Sequence, residues 1–193
     1  MEAGHAVIAA LALLTFAPDQ DWVAGGVSNG VAVSFRDNTA AQAREVRAVA
    51  ELPHAADGIV ALVCDFTQPL DPDVREAELL TGDLASRYEI SLSYASRFLV
   101  VAPREVVIDV RRQPGGCDWS DVPDRMTARS GMVRMEMLRG SWSVEPLDAS
   151  RSRVTYQIAV KPGGRMPGWL VRRGAASALP DVIARVGRKL ANR

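Results

Sequence analysis

The stretch from Val154 to Trp169, VTYQIAVKPGGRMPGW, changes its hydrophobic period in mid-course. Val154, Tyr156, Ile158 and Val160 alternate with more polar neighbours, the period of a strand with one buried face. Pro162 then ends the ladder, because it has no N–H to donate. Gly163 and Gly164 permit the positive φ of a sharp reversal, and Pro167 suits the first turn of a helix. From there to the C-terminus Trp169, Ala176, Leu179, Ile183, Val186 and Leu190 form a helical stripe. Trp169 is expected to pack against the sheet, and Pro180 to kink the helix or restart it. A strand, a tight turn and one long terminal helix therefore close the chain.

Working outward, the same period of two recurs. Val31, Val33 and Phe35 form a strand after the turn signal Ser28-Asn29-Gly30, and Glu45 to Leu52 forms another. Pro53-His54 then opens a helix whose stripe is Ile59, Leu62, Val63 and Phe66. A shorter helix is predicted over Pro72 to Leu80, with Gly82 as its stop. Further strands are predicted on Tyr88, Ile90, Leu92 and Tyr94; on Val106, Ile108 and Val110; and on Val133, Met135 and Met137. A short strand around Trp142 to Glu145 completes the set. Alternation gives each strand one wet and one apolar face, as in antiparallel sheets. The fold class is α+β: a curved antiparallel sheet wrapped around a long C-terminal helix, with two short helices after the second or third strand. The space between sheet and helix is either packed solid or left as a cavity.

The 193 residues suit one domain. Twenty-three basic and 23 acidic side chains cancel, so there is no global field for nucleic acid. Two histidines, His5 and His54, and two cysteines, Cys64 and Cys117, exclude a His-rich metal centre and a disulfide-dense scaffold. Neither a P-loop nor G-x-G-x-x-G occurs. Gly26-Val27-Ser28-Asn29-Gly30 matches G-x-S-x-G, but a strand follows the serine where a nucleophile elbow needs a helix, and a hairpin turn explains it better. No metal or cofactor is expected.

Ala6 to Ala17 is an unbroken apolar run, too short to span a bilayer. It suits the core of a signal peptide with Thr15-Phe16-Ala17 as the cleavage site, although no Lys or Arg precedes it; an N-terminal packed helix is the alternative. The expected organisation is thus a signal peptide or apolar helix over 1–17 and a single domain over 18–193, in a periplasmic or secreted protein, otherwise a cytoplasmic one. Cys64 reads as a small buried hydrophobe and Cys117 as a loop residue; pairing between them is open.

Several phrases together resemble the START lipid-transfer domain of the Bet v 1-like (SRPBCC) helix-grip superfamily, in its bacterial secreted form. They include Trp22 with Gly30-Val31-Ala32-Val33, Val60 to Asp65, Ala102-Pro103-Arg104-Glu105, Gly140-Ser141-Trp142 and, most specifically, Pro162 to Val171, which is similar to the family signature PGG-x-x-P-x-W-L-V. The likeness spans roughly Trp22 to Arg188. It departs from the family where Arg172 replaces an asparagine and where no tryptophan occurs between Asp65 and Asp83. The resemblance implies non-catalytic binding of one lipid or sterol in a tunnel between sheet and terminal helix, with transfer as the further step; a monomer is expected.

Candidate ligand contacts follow from residue chemistry. Tyr88, Ile90 and Tyr94 share a strand face, and a buried tyrosine offers an apolar body with one hydroxyl. Val133, Met135 and Met137 bring flexible, polarizable surface, while Tyr156 and Trp169 flank the strand-to-helix turn. Arg104 is a candidate for pairing with an anionic head group at a cavity mouth. Arg172, Arg173, Arg185, Arg188 and Lys189 give the terminal helix a basic face suited to an anionic membrane or simply to water. The enzyme alternative is a cyclase or dehydratase of the same superfamily with Tyr94, Tyr156 and Asp65 as proton donors. The third is an interaction protein with a packed core. A cavity of several hundred Å³ supports binding.

Overall fold

The computed structural model describes residues 22–38, 43–95, 102–127, 129–164 and 168–192, over 168–177 as backbone alone. The apolar run at 6–17 lies outside the described residues. Among the described residues ten strands and two helices succeed one another: β1 (Val23–Ser28), β2 (Val31–Asn38), β3 (Ala43–Leu52), α1 (Ala56–Val63), β4 (Val74–Asp83), β5 (Arg87–Tyr94), β6 (Arg104–Gln113), β7 (Gly116–Asp121), β8 (Val133–Arg134), β9 (Met137–Pro146), β10 (Ser152–Lys161) and α2 (Gly168–Ala191). They form one sheet in the order β1-β2-β3-β10-β9-β7-β6-β5-β4, with β8 beside β6. Every pairing is antiparallel except β6 with β8. The α+β helix-grip architecture is the expected one.

The turn chemistry holds. Asn29 and Gly30 both take positive φ, as a two-residue hairpin between β1 and β2 requires. Gly163 and Gly164, at φ 72° and 63°, make the reversal between β10 and α2. The terminal helix runs without interruption through Pro180, and Leu179, Val182, Ile183 and Val186 bury its described inner face. Packing of that face on the sheet offsets the hydrogen bond that proline cannot donate.

Three expectations need correction. The segment Pro72 to Leu80 is not a helix but the first part of edge strand β4. Its register against β5 shifts twice, at Val74/Glu76 and at Leu79/Thr81. Each bulge adds a residue, so Val74, Ala77 and Leu80 stay partly buried at three-residue spacing and imitate a helical stripe. One short helix, α1, therefore stands where two were expected. The Val133–Met137 strand is also broken. Two residues pair in parallel with β6, and β9 then begins at Met137 with Leu138, Trp142 and Val144 in the core. Met137 is buried but lies outside that core cluster, on the other phase of the strand.

The third correction concerns β6, which is buried on both faces from Arg104 to Val110 rather than wet on one. The segment after β7 folds back across its convex side. Glu105, 1% exposed, accepts from the Arg129 backbone N–H at 2.8 Å and from Arg129 Nε at 3.0 Å. Arg129 also reaches Glu76 on β4 at 2.8 Å, and Arg125 reaches Glu89 on β5 at 2.6 Å. Asp109, nearly buried, is held by Arg87 at 2.7 Å and by Arg111 at 3.0 Å.

Candidate functional site

The concave face holds a cavity of about 40 Å³ where the turn after α1 meets the sheet and α2. Leu70, Leu92, Tyr94, Trp142, Tyr156 and Val182 line it, with Asp65 and Asp71 at its polar side. That volume admits a few water molecules and is far below the several hundred Å³ expected for a whole ligand. Val182 is the contribution of the terminal helix, so helix and sheet both border the space.

Local sequence explains the wall. Helix α1 ends at Val63, and Cys64 is bonded to Cys117 on β7, with Cα atoms 5.9 Å apart and both residues fully buried. The pairing left open by the sequence is therefore made; Cys117 lies in a strand, not a loop. Asp65 folds the next turn: its carboxylate accepts from the Thr67 N–H at 3.1 Å, the Thr67 hydroxyl at 2.5 Å and Gln68 Nε2 at 2.9 Å. Tyr88 anchors the same turn from below. Its hydroxyl donates to the Cys64 carbonyl at 2.8 Å and accepts from the Phe66 N–H at 3.0 Å. Burial pushes that phenol up to about 12.

An aromatic cluster forms the floor. Tyr156 on β10 and Trp142 on β9 are register partners, and their rings stack at 4.0 Å and 7°. Trp119 on β7 lies 6.0 Å from Tyr156 and meets Phe66 edge-on at 5.1 Å. A side chain at Gly140 would collide with the Trp119 ring and the Gln157 carbonyl, so glycine there lets the indole lie against β9. Trp119 is 3% exposed, and its Nε1–H has no acceptor among the described residues. Tyr94 and Tyr156 sit deep enough that burial is the main cause raising both phenols, with the Asp71 charge adding to it. Both side chains border the cavity.

The remaining candidates fall elsewhere. Ile90 is fully buried in the core beside the cavity wall, and Met135 packs against that core. Val133 lies under Gly164 at the strand-to-helix turn. Arg104 is turned to backbone: it donates to the carbonyls of Ala102, Pro162 (3.5 Å) and Gly163 (3.4 Å), and burial lowers its pKa. It braces the Pro-Gly-Gly turn. Arg188 is exposed and Lys189 partly so, whereas Arg185 has a buried, unpartnered Nε. The side chains of Trp169, Arg172 and Arg173 lie outside the described residues. Sequence reasoning missed Trp119, Trp142, Leu70, Leu92, Asp71 and Val182; the alternation of Leu92 with Tyr94 was the signal available for one of them.

The family described as polyketide cyclase / dehydrase and lipid transport matches residues 72–186, more than half the chain. A STAR-related lipid transfer protein from Xanthomonas axonopodis superposes with TM-score 0.77 at 26% identity, covering 89% of this chain and 99% of that one. Human StAR-related lipid transfer protein 5 gives 0.81 at 16% identity over 91% and 88% of the two chains. The Zhui aromatase/cyclase from a Streptomyces species gives 0.54 at 14% identity over 77% and 96%, a likeness of fold. An uncharacterized protein of Pseudomonas aeruginosa is 35% identical over 48 residues, 25% of this chain; the match spans only 24% of that relative.

Proposed function

The chain belongs to the polyketide cyclase/dehydrase and lipid transport family, and from that premise we propose that it binds one hydrophobic molecule between the concave sheet and α2, without chemical conversion. The observation that supports this reading is the pocket between the turn after α1, the sheet and α2, lined mainly by aromatic and aliphatic side chains with Asp65, Gln68 and Asp71 at its polar side. At about 40 Å³ it is the collapsed form of the site. Admission of a ligand displaces the turn at 64–71 or α2.

Binding is favoured over proton-transfer chemistry by the state of the three candidate acids. Asp65 is fully engaged in its own turn. The Tyr94 and Tyr156 phenols are shifted upward, away from the neutral range in which a general acid works best. The buried Cys64–Cys117 bridge supports an oxidising, exported location. Arg188 and Lys189 at the far end of α2 support transient contact with an anionic membrane.

Organic extraction of the purified full chain followed by mass spectrometry tests the reading. A stoichiometric hydrophobic compound is expected. Absence of any such compound, together with no uptake of lipid from vesicles, would sink it in favour of a packed interaction domain.

A further inference from the structure

The Ser28-Asn29-Gly30 turn takes no part in the cavity, yet its chemistry is distinct. Asn29 and Gly30 are both exposed, at φ 51° and 77°, and Asn29 is the one non-glycine residue with positive φ among the described residues. A Cβ built on Gly30 would meet no atom within 4 Å, so the space beside this peptide is open. The chain's other two asparagines differ. Asn38 precedes a threonine, and its amide donates to Glu45 at 2.7 Å; Asn192 precedes Arg193.

An asparagine carboxamide lies one five-membered ring away from the main-chain nitrogen of the next residue, and a following glycine has no Cβ to obstruct that approach. The Gly30 nitrogen, stripped of its proton, bonds to Asn29 Cγ. The Cγ–Nδ2 bond breaks, and ammonia leaves with the proton. Water then opens the cyclic imide at either carbonyl, giving aspartate or an isoaspartate whose main chain runs through Cβ. Two successive positive φ values are the tight hairpin arrangement, and ring closure needs the main chain to leave it. Strand β1 allows that. Its six residues are all exposed, it pairs with β2 alone, and its register shifts between Ala24 and Gly26. Edge segments with so few buried contacts open at little cost.

We propose that Asn29-Gly30 is a spontaneous modification site of the folded protein, converting to aspartate and isoaspartate at a rate set by opening of the β1–β2 hairpin. The isoaspartyl product adds a negative charge and one main-chain atom to a two-residue turn closed by Ser28 and Val31. That mismatch releases β1 and leaves β2, which carries the core residues Val31 and Val33, as the new edge of the sheet.

Incubation of the full chain at neutral and at mildly alkaline pH tests this, read by isoelectric focusing, peptide mapping and enzymatic methylation of isoaspartate. One acidic species is expected, carrying one extra negative charge. It should form faster at the higher pH and more slowly than in the urea-unfolded chain, and it should map to Asn29. Asn29→Gly, which keeps a turn compatible with positive φ, should abolish it. Amide hydrogen exchange over 23–33 should quicken in the isoaspartyl protein and stay near native in Asn29→Asp, which adds the charge without lengthening the main chain. A folded protein that stays unmodified while the unfolded chain converts, or conversion at Asn38 in place of Asn29, overturns the proposal. Equal exchange in the isoaspartyl protein and in Asn29→Asp overturns the release of β1.

Discussion

The two faces of the sheet treat their buried polar groups in opposite ways. On the convex side the carboxylates are matched: Glu105 by the main chain and side chain of Arg129, Asp109 by Arg87 and Arg111, Glu45 by Arg36, Asn38 and Gln157. On the concave side Tyr88 is satisfied twice, whereas the Trp119 Nε1–H is buried with no partner among the described residues. One chain builds both faces, so the concave deficit is not a failure of packing.

Removing the covalent tie beneath the cavity wall is the most severe way to break this contrast. Cys64 and Cys117 are 53 residues apart, and the loop-entropy argument puts the cost of opening the bridge at about 4 kcal/mol. Urea denaturation of a Cys64→Ala/Cys117→Ala variant should show that loss. A midpoint equal to the native one would mean that Tyr88 and α1 hold the turn alone.

The two tyrosines set the next test. Tyr88→Phe strands the Cys64 carbonyl and the Phe66 N–H, so about 1–3 kcal/mol of stability should disappear. Tyr156→Phe deletes a hydroxyl on a side chain that borders the cavity and keeps the ring that stacks on Trp142, so it should cost less than Tyr88→Phe. If both substitutions cost the same in thermal unfolding, the Tyr88 hydroxyl is not the anchor of the turn.

The smallest effect belongs to the convex face. Hydrogen bonds from Arg87, and secondarily Arg111, hold the Asp109 carboxyl below its ordinary value of 3.8. A depressed acid contributes stability above its unfolded pKa and loses it as pH falls through the folded value. That contribution is full near pH 5 and fades below about pH 4. Both arginines are more than half exposed, which limits it to under about 1 kcal/mol. Asp109→Asn should flatten the acid limb of a stability-pH curve by that amount and leave the neutral region little changed.

Much of this architecture was legible in the sequence. Alternation located β2, β3, β5, β6 and β10, the Pro-Gly-Gly reversal located the terminal helix, and composition ruled out the common cofactor motifs. The failures have physical causes. Bulges convert a period of two into one of three, which turned β4 into a helix. Burial of β6 on both faces depends on an ion-paired segment some 20 residues downstream, which no local window contains. The cavity was only partly readable, because its floor is assembled from single residues on separate strands. Tyr94 and Tyr156 were identified from their chemistry, whereas Trp119 and Trp142 gain meaning from the ring contacts that register imposes.

The sheet joins its N-terminal strands to the rest through β3 and β10, with Ala50 opposite Val154. A ribosome emits roughly 5–20 residues per second, so β3 waits roughly 5–20 s after emergence for the strand that covers its open edge. Throughout that interval β1, β2 and β3 form a meander whose β3 edge is unpaired, and it stays so until β10 has been synthesised. An unpaired edge of this kind is a template for pairing with other chains, so a chain stopped before β10 is expected to aggregate.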